Sequence, residues 1–500
     1  MSKISRRHAI GVMGGTVAGV ALSSGAAGQD RKKKKPASAD AKKKQAKLNE
    51  ARMVRGKGPN ILMVMADQFN HKWMGCAGAD WVKTPNLDAL AERGVLFTKA
   101  ICNYSLCSPS RAALASGLRS SQVGVMANGH LYPPTVPTYY QALRASGYRV
   151  GCVGKTDLHK NDHWEGVNGD RPIMYHLGFT DPYELEGKQT AAIKFKELAC
   201  PYQRYLDKRG LFDKFNKDYG VRKKYPRKFG ADSVLPLEAY EDSFIGDHTC
   251  EFLENVSDES PWHYFTSFVG PHNPWDAPTK YADMYRKAEM PEEIRDPNGK
   301  KPFKREDLVR TMRQYAGMVT LIDDYVGKMV EILKERGMYD NTVIMFCADH
   351  GEMMGDHGMF YKGQPQESAI RIPMIVAGPG IKSLGKLGAL VELNDLAPTC
   401  LELAKTKPLG KMTARSLMPI LTGKGTSVRD FQICEGGGHA LIFDGRYKYI
   451  DSKSRQKEGL FDIDKDPSEL NNLIEKEPGK AAHLKKELAE MLASEKKYLA

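Results

Sequence analysis

The chain has 500 residues, 41% hydrophobic and 27% charged, which fits a soluble globular protein with room for one large domain and a smaller one. Its net charge of +13 suggests a polyanionic partner, yet residues 1–57 hold 15 Lys and Arg against only Asp30, Asp40 and Glu50. Setting that +12 aside leaves the other 443 residues near +1, so the body of the chain carries no electrostatic case for nucleic acid.

In chain order, Lys3, Arg6 and Arg7 precede a mildly apolar, Gly-rich run from Ile10 to Leu22, too short and weak to span a membrane. Small residues follow at Gly25-Ala26-Ala27. Residues 1–29 therefore read as a signal peptide. Ser5-Arg6-Arg7 suits the twin-arginine export route, with an ordinary secretion signal as the alternative. Residues 30–57, with RKKKKP and AKKKQAK, read as a basic, solvated linker; contact with anionic cell-wall or lipid groups is the other reading. No later window is apolar enough for an integral membrane segment. The expected product is exported, to the periplasm, the medium or the cell surface, and needs the export machinery.

Asn60 to Ala66 (NILMVMA) is a continuous apolar run ending at Asp67 and predicts a strand buried on both faces. Pro85 to Arg93 predicts a short amphipathic helix stopped by Gly94. Tyr139 to Ser146 predicts another, followed by a strand over Tyr148–Val153. Trp262 to Val269 is strand-like. Asp307 to Arg336 is a long helix with Met318, Leu321, Ile322, Tyr325, Met329 and Ile332 on one face. Thr342 to Ala348 (TVIMFCA) is a second buried strand, ending at Asp349, and Ile372–Ala377 a third. Alternating strands and helices predict an α/β fold with a large, mostly parallel sheet flanked by helices. Ligands in such sheets bind outside the carboxyl ends of the strands, where Asp67 and Asp349 both fall. Beyond Pro419 the texture changes. His439 to Ile450 reads as a hairpin with an Asp-Gly turn, Gly459 begins another strand, and Lys480 to Tyr498 is a terminal helix. The expected domains are a catalytic domain at 58–419 and a small antiparallel α+β subdomain at 420–500.

The nine cysteines (76, 102, 107, 152, 200, 250, 347, 400 and 434) are odd in number, irregularly spaced and without a C-x-x-C pair. They form neither a zinc pattern nor a disulfide framework; one or two bridges are compatible, but no pairing is readable, and most read as buried small hydrophobes. Cys107 differs, because it opens CSPSRAALASG. Pro109 suits the first turn of a helix, and Arg111 lies four residues on, on the same helical face. Helix N-terminal amides with a guanidinium make an anion site, beside which a thiolate of lowered pKa would be one catalytic reading.

The stretch Cys107–Gly117 resembles the sulfatase signature C-[ST]-P-S-R-x-x-x-x-[ST]-G. The resemblance implies the alkaline-phosphatase-like fold. It also implies that a formylglycine-generating enzyme oxidises Cys107 to formylglycine (3-oxoalanine), an aldehyde that hydrates to a geminal diol. NILMVMADQ (60–68) resembles the family's first metal-binding strand, with Asp67-Gln68 where many members have two aspartates. ADHGEMMGDHGMFYKG (348–363) resembles the second metal segment, with Asp349-His350 in place of Asp-Asn. Both departures resemble the branch of choline sulfatases and phosphonate monoester hydrolases. The implied metal set is Asp67, Gln68, Cys107, Asp349 and His350 around one divalent ion, calcium by default, with manganese as the alternative that the His350 nitrogen admits.

GCVGKTDLHK (151–160) resembles the G-K-x-H segment and implies sulfate binding by Lys155. The position two residues on, often histidine, is Asp157 here, and His159 lies two further. FVGPHNPWDAP (268–278) resembles the P-H-x-P segment and puts His272 at the leaving-group or sulfate oxygen. Lys362 and Asn128 fall at spacings where relatives keep an active-site lysine and asparagine. GLFDIDKDPSELNNL (459–473) resembles the family's C-terminal segment. The implied function is hydrolysis of a sulfate ester, with a sulfated small molecule or polysaccharide as partner and a carbohydrate sulfate as the expected substrate. Specificity is expected from the Tyr-, Lys- and Arg-rich segment 156–245. A phosphonate or phosphate mono- or diesterase on the same machinery, and a non-catalytic sulfated-glycan-binding protein, are the competing readings.

Overall fold

The computed structural model describes residues 56–159, 172–193, 200–224, 230–297, 299–452 and 458–499. The expected signal peptide (1–29), the linker up to residue 55 and parts of the expected specificity segment (160–171, 194–199, 225–229) lie outside the described residues.

Fourteen strands are described: β1 Asn60–Ala66, β2 Val95–Phe97, β3 Ala100–Ile101, β4 Arg149–Gly154, β5 Asp181–Glu184, β6 Trp262–Phe268, β7 Thr342–Ala348, β8 Met374–Ala377, β9 Gly385–Leu387, β10 Val391–Glu392, β11 Gln432–Gly436, β12 His439–Phe443, β13 Tyr447–Ser452 and β14 Gly459–Asp462. Eight form the main sheet in the order β5-β4-β6-β1-β7-β8-β2-β9. Only β8 runs against its neighbours β7 and β2; the other pairs are parallel. Every residue of β1, β6 and β7 is buried, which is why these strands read as apolar runs and not as alternating patterns. In the β1–β7 register Ala66 sits opposite Ala348, so Asp67 and Asp349 leave the sheet side by side.

Two groups of helices flank the sheet. Arg305–Glu335 packs with Glu241–Asn255 and Pro85–Arg93, while Cys107–Ser116, Tyr139–Ala145 and Leu396–Leu403 pack together. The 31-residue helix Arg305–Glu335 ends at Gly337, whose φ of 65° lets the Met338 amide turn back onto the Leu333 carbonyl at 2.8 Å. The second sheet is antiparallel, β11-β12-β13-β14, and has its own core: Ile433, Ile442, Tyr449 and Leu460 pack on Ala481, Leu484 and Leu488 of the terminal helix Pro478–Leu499. The Asp-Gly turn closes its hairpin, with Gly445 at φ 96°. Residues Val54–Ala500 group as one compact unit. All nine cysteines are free, seven of them buried.

Candidate active site

The site is built where β1 and β7 end and a helix begins. Cys107 is the first residue of the helix Cys107–Ser116, all ten residues of which are buried. Pro109 lies in its first turn, where a missing N–H costs nothing. Gly117 closes the helix at φ 67°, its amide reaching the Ala113 carbonyl at 2.9 Å. Asn128 Oδ1 accepts the Ser108 amide at 3.1 Å and so caps the helix start beside Cys107.

Around the thiol, ligand atoms of Asp67, Cys107, Asp349 and His350 all lie within 4.8 Å of one another, and all four residues are buried. Cys107 Sγ is 3.2 Å from His350 Nε2 and 3.8 Å from Asp67 Oδ1. His350 Nδ1 donates to the Gly351 carbonyl at 2.9 Å, which orients the ring and leaves Nε2 as the nitrogen facing the cluster. Gln68, at φ 63°, donates its amide to Asp349 Oδ1 at 3.0 Å. Its side-chain nitrogen bonds Glu352 Oε2, which turns Gln68 Oε1 toward Lys362 Nζ, 2.6 Å away. Two carboxylates, an imidazole and an amide oxygen are a donor set that suits a hard or borderline divalent cation.

Cations surround this group. Arg111 Nε donates to Asp349 Oδ2 at 2.8 Å, one terminal nitrogen lies 3.4 Å from Asp67 Oδ2, and the other bonds Ser267 Oγ at 2.7 Å and the Lys155 carbonyl. Lys155 Nζ bonds Asp67 Oδ2 and lies 3.3 Å from Asp157 Oδ2. Lys362 Nζ is 3.2 Å from Cys107 Sγ. Burial works against ionisation of Asp67, but Lys155, His272, Lys362 and Arg111 hold its carboxyl well below the ordinary range. Burial and Asp67 push the Cys107 thiol up; Lys155, Lys362 and His350 outweigh them and bring it to about 7. Burial, then Lys362 and less strongly Lys155, keep His272 well below the usual histidine value, against opposing pulls from Asp67 and the Asn273 carbonyl.

The sequence-predicted residues therefore divide. Asp67, Gln68, Cys107, Arg111, Lys155, Asp349, His350 and Lys362 are linked by direct contacts. His272 is partly buried on a loop tied to the site, since the Asp67 amide donates to the Gly270 carbonyl at 2.9 Å; its Nδ1 donates to the Asn273 carbonyl at 2.6 Å. Asn128 touches the helix start. His159 Nε2 bonds the Tyr132 carbonyl at 3.2 Å, and Tyr132 in turn donates its amide to Leu158. Glu352 and Ser267 were not foreseen. Glu352 is fully buried, accepts the Met354 and Tyr361 amides at 2.9 and 2.7 Å, and orients Gln68. Its only sequence signal was its place three residues after Asp349, in a segment already assigned to metal binding.

Residues 59–406 match the sulfatase family model. The chain belongs to the sulfatase family. Residues 355–497 also match the model described as N-sulphoglucosamine sulphohydrolase, C-terminal. An arylsulfatase from Clostridium perfringens is 29% identical over 84% of this chain and 91% of its own length. A choline-sulfatase from Rhizobium meliloti is 28% identical over 85% and 84%. Among solved structures, the phosphonate monoester hydrolase of Agrobacterium radiobacter superposes with a TM-score of 0.72 at 24% identity, covering 87% of this chain and 96% of that one, which shows a shared fold. The protein is a sulfatase-family hydrolase with a buried Asp, Cys, Asp and His group of metal-site geometry. Among the described residues no helix is long and apolar enough to cross a membrane.

Proposed function

We propose that this sulfatase hydrolyses a sulfate ester of a carbohydrate, after export to the periplasm or the cell exterior, with calcium as the metal and formylglycine at position 107. The observation that carries the reading is the convergence of Asp67, Cys107, Asp349 and His350 within 4.8 Å, wrapped by Arg111, Lys155 and Lys362. The match to the N-sulphoglucosamine sulphohydrolase C-terminal model supports a sugar substrate.

The metal would be held by Asp67, Asp349, His350 Nε2 and Gln68 Oε1. When bound it supplies positive charge that offsets the anionic ester and polarises its oxygens. Cys107 Sγ marks where the hydrated formylglycine would present two hydroxyls, one to attack sulfur and one to release sulfate afterwards, an exit that plain cysteine or serine lacks. Arg111 holds Asp349 and Asp67 in place through its fork. Lys155 and Lys362 orient the ester's oxygens and stabilise charge in transit. Asp349, whose carboxylate lies within 4.8 Å of Cys107 Sγ, would take the proton of the attacking hydroxyl. His272 Nδ1 already donates to Asn273, so Nε2 is the atom that would carry a proton to the departing alcohol. Burial and the two lysines favour the neutral form of that ring, and an arriving anion favours its protonation. Asn128 keeps the first helical turn in register beneath the nucleophile.

The test is turnover of an aryl sulfate by protein matured with a formylglycine-generating enzyme, beside an aryl phosphodiester. Sulfate release that dominates supports the reading. Faster turnover of the phosphodiester favours the phosphonate or phosphate esterase reading, which the shared fold with phosphonate monoester hydrolase recommends as second.

A further inference from the structure

One carboxylate in this cluster has no part in the chemistry above. Asp157 is 4% exposed and lies two residues past Lys155 on left-handed backbone, φ 55°. Its Oδ2 is 3.3 Å from Lys155 Nζ and 3.4 Å from the hydroxyl of Ser108, the residue after the nucleophile. Its charge therefore sits against Lys155, a cation assigned above to the ester's oxygens, which also pairs with Asp67. Buried there, it is poorly screened by water. Against burial, Asp157 and then Asp67 hold Lys155 charged, and Arg111 also feels Asp157 after Asp349 and Asp67.

A negative charge beside an anion pocket looks counterproductive for a hydrolase of anions. It becomes useful once ligand charge is counted. Coulomb repulsion scales with the charge of the ligand, so at one position a dianion is disfavoured twice as strongly as a monoanion. A sulfate monoester carries one negative charge, while the inorganic sulfate it yields carries two. A phosphate monoester approaches two near neutral pH. We propose that Asp157 is a charge-selectivity residue: it tilts the pocket toward singly charged esters, hastens departure of the doubly charged product and disfavours phosphate monoesters. The inference rests on the sulfate-ester reading of this site.

Asp157→Asn removes the charge with almost no change in shape, and asparagine tolerates the left-handed backbone. Matured, calcium-supplied wild type and variant are titrated with inorganic sulfate, and binding is read from the rise in unfolding temperature, independently of turnover. The same proteins are assayed on an aryl sulfate and an aryl phosphate monoester. Asp157→Asn should bind sulfate at least about tenfold more tightly and raise the phosphate-to-sulfate ratio of kcat/KM by a similar factor, with a smaller change in KM for the aryl sulfate. Asp157→Ser, which removes the same charge, should shift sulfate affinity in the same direction. Unchanged or weaker sulfate binding in both variants overturns the proposal and makes Asp157 a positioning residue for Lys155. Absence of aryl sulfate turnover in the wild type sinks the sulfate-ester reading instead, and the two failures are read from separate measurements.

Discussion

Arg111 has a partner for every nitrogen: Asp349 at Nε, Asp67 at one terminal nitrogen, Ser267 and the Lys155 carbonyl at the other. A lysine keeps the charge but cannot reproduce that planar fork. Arg111→Lys should therefore lower kcat/KM on an aryl sulfate roughly 100-fold, as loss of one pre-set donor does elsewhere. Glu352 works one layer further out. Glu352→Gln sets an amide against the Gln68 amide, removes the constraint on Gln68 Oε1, and should weaken metal affinity by roughly 10–100-fold in a calcium titration. Cys107, Arg111, Asp67 and Asp349 were legible because a short motif and two strand ends carry them. Glu352 was not, because its partner Gln68 is 284 residues away and an isolated glutamate reads as solvated. His263 was equally hidden: it is fully buried in β6, its Nε2 3.1 Å from the Tyr139 hydroxyl, and burial pushes it down to about 3. The folded state therefore disfavours its charged form. Its contribution to stability is whole above pH 6.5 and is lost as pH falls toward 3, by up to ~1.4 kcal/mol per pH unit. His263→Gln, which keeps a partner for Tyr139, should show a shallower fall in unfolding temperature between pH 7 and 4.

The elements that sequence reading placed well are long and strongly patterned: β1, β7, Pro85–Arg93 and the 31-residue helix stopped by Gly337. Those it passed over include β2, β3, β9 and β10, strands of two or three residues that are too short to show a period and exist because longer neighbours hold them, and also β5, β11 and the 15-residue helix Glu241–Asn255, whose buried face mixes Glu241, Asp242 and Ser243 with its apolar residues. The loop after β7 shows how an element far away in sequence fixes the site. Lys448 of β13 is fully buried, bonds the Pro365 carbonyl at 2.9 Å and Glu367 at 3.1 Å, and pairs with Glu469, while Glu469 accepts the Glu367 amide at 2.7 Å. Three to five residues separate this knot from Lys362. Lys448→Met would leave two carboxylates buried together and should destabilise the protein by about 3–5 kcal/mol in urea unfolding. Adding Glu469→Gln should recover much of that loss, since Glu367 keeps Arg371. The motif containing Glu469 was legible as a family pattern; its partner in β13 was not.

For the whole molecule, the charge excess belongs to residues 1–57, while in the near-neutral body Arg111, Lys155 and Lys362 converge on one anion site. The small sheet is joined to that body near the nucleophile: Glu435 of β11 donates its amide to the carbonyl of Asn103, four residues before Cys107, at 2.9 Å. Both segments of family resemblance thus bear on the nucleophile, one by carrying it and one by bracing its surroundings. The central claim is that Cys107 is a precursor and not the working thiol. The most direct test is the mass of the peptide spanning residue 107, from protein made with a formylglycine-generating enzyme. A loss of about 18 Da against the unmodified cysteine peptide, with sulfate-ester turnover tracking the modified fraction, is the predicted result. An unmodified thiol in fully active protein would contradict it.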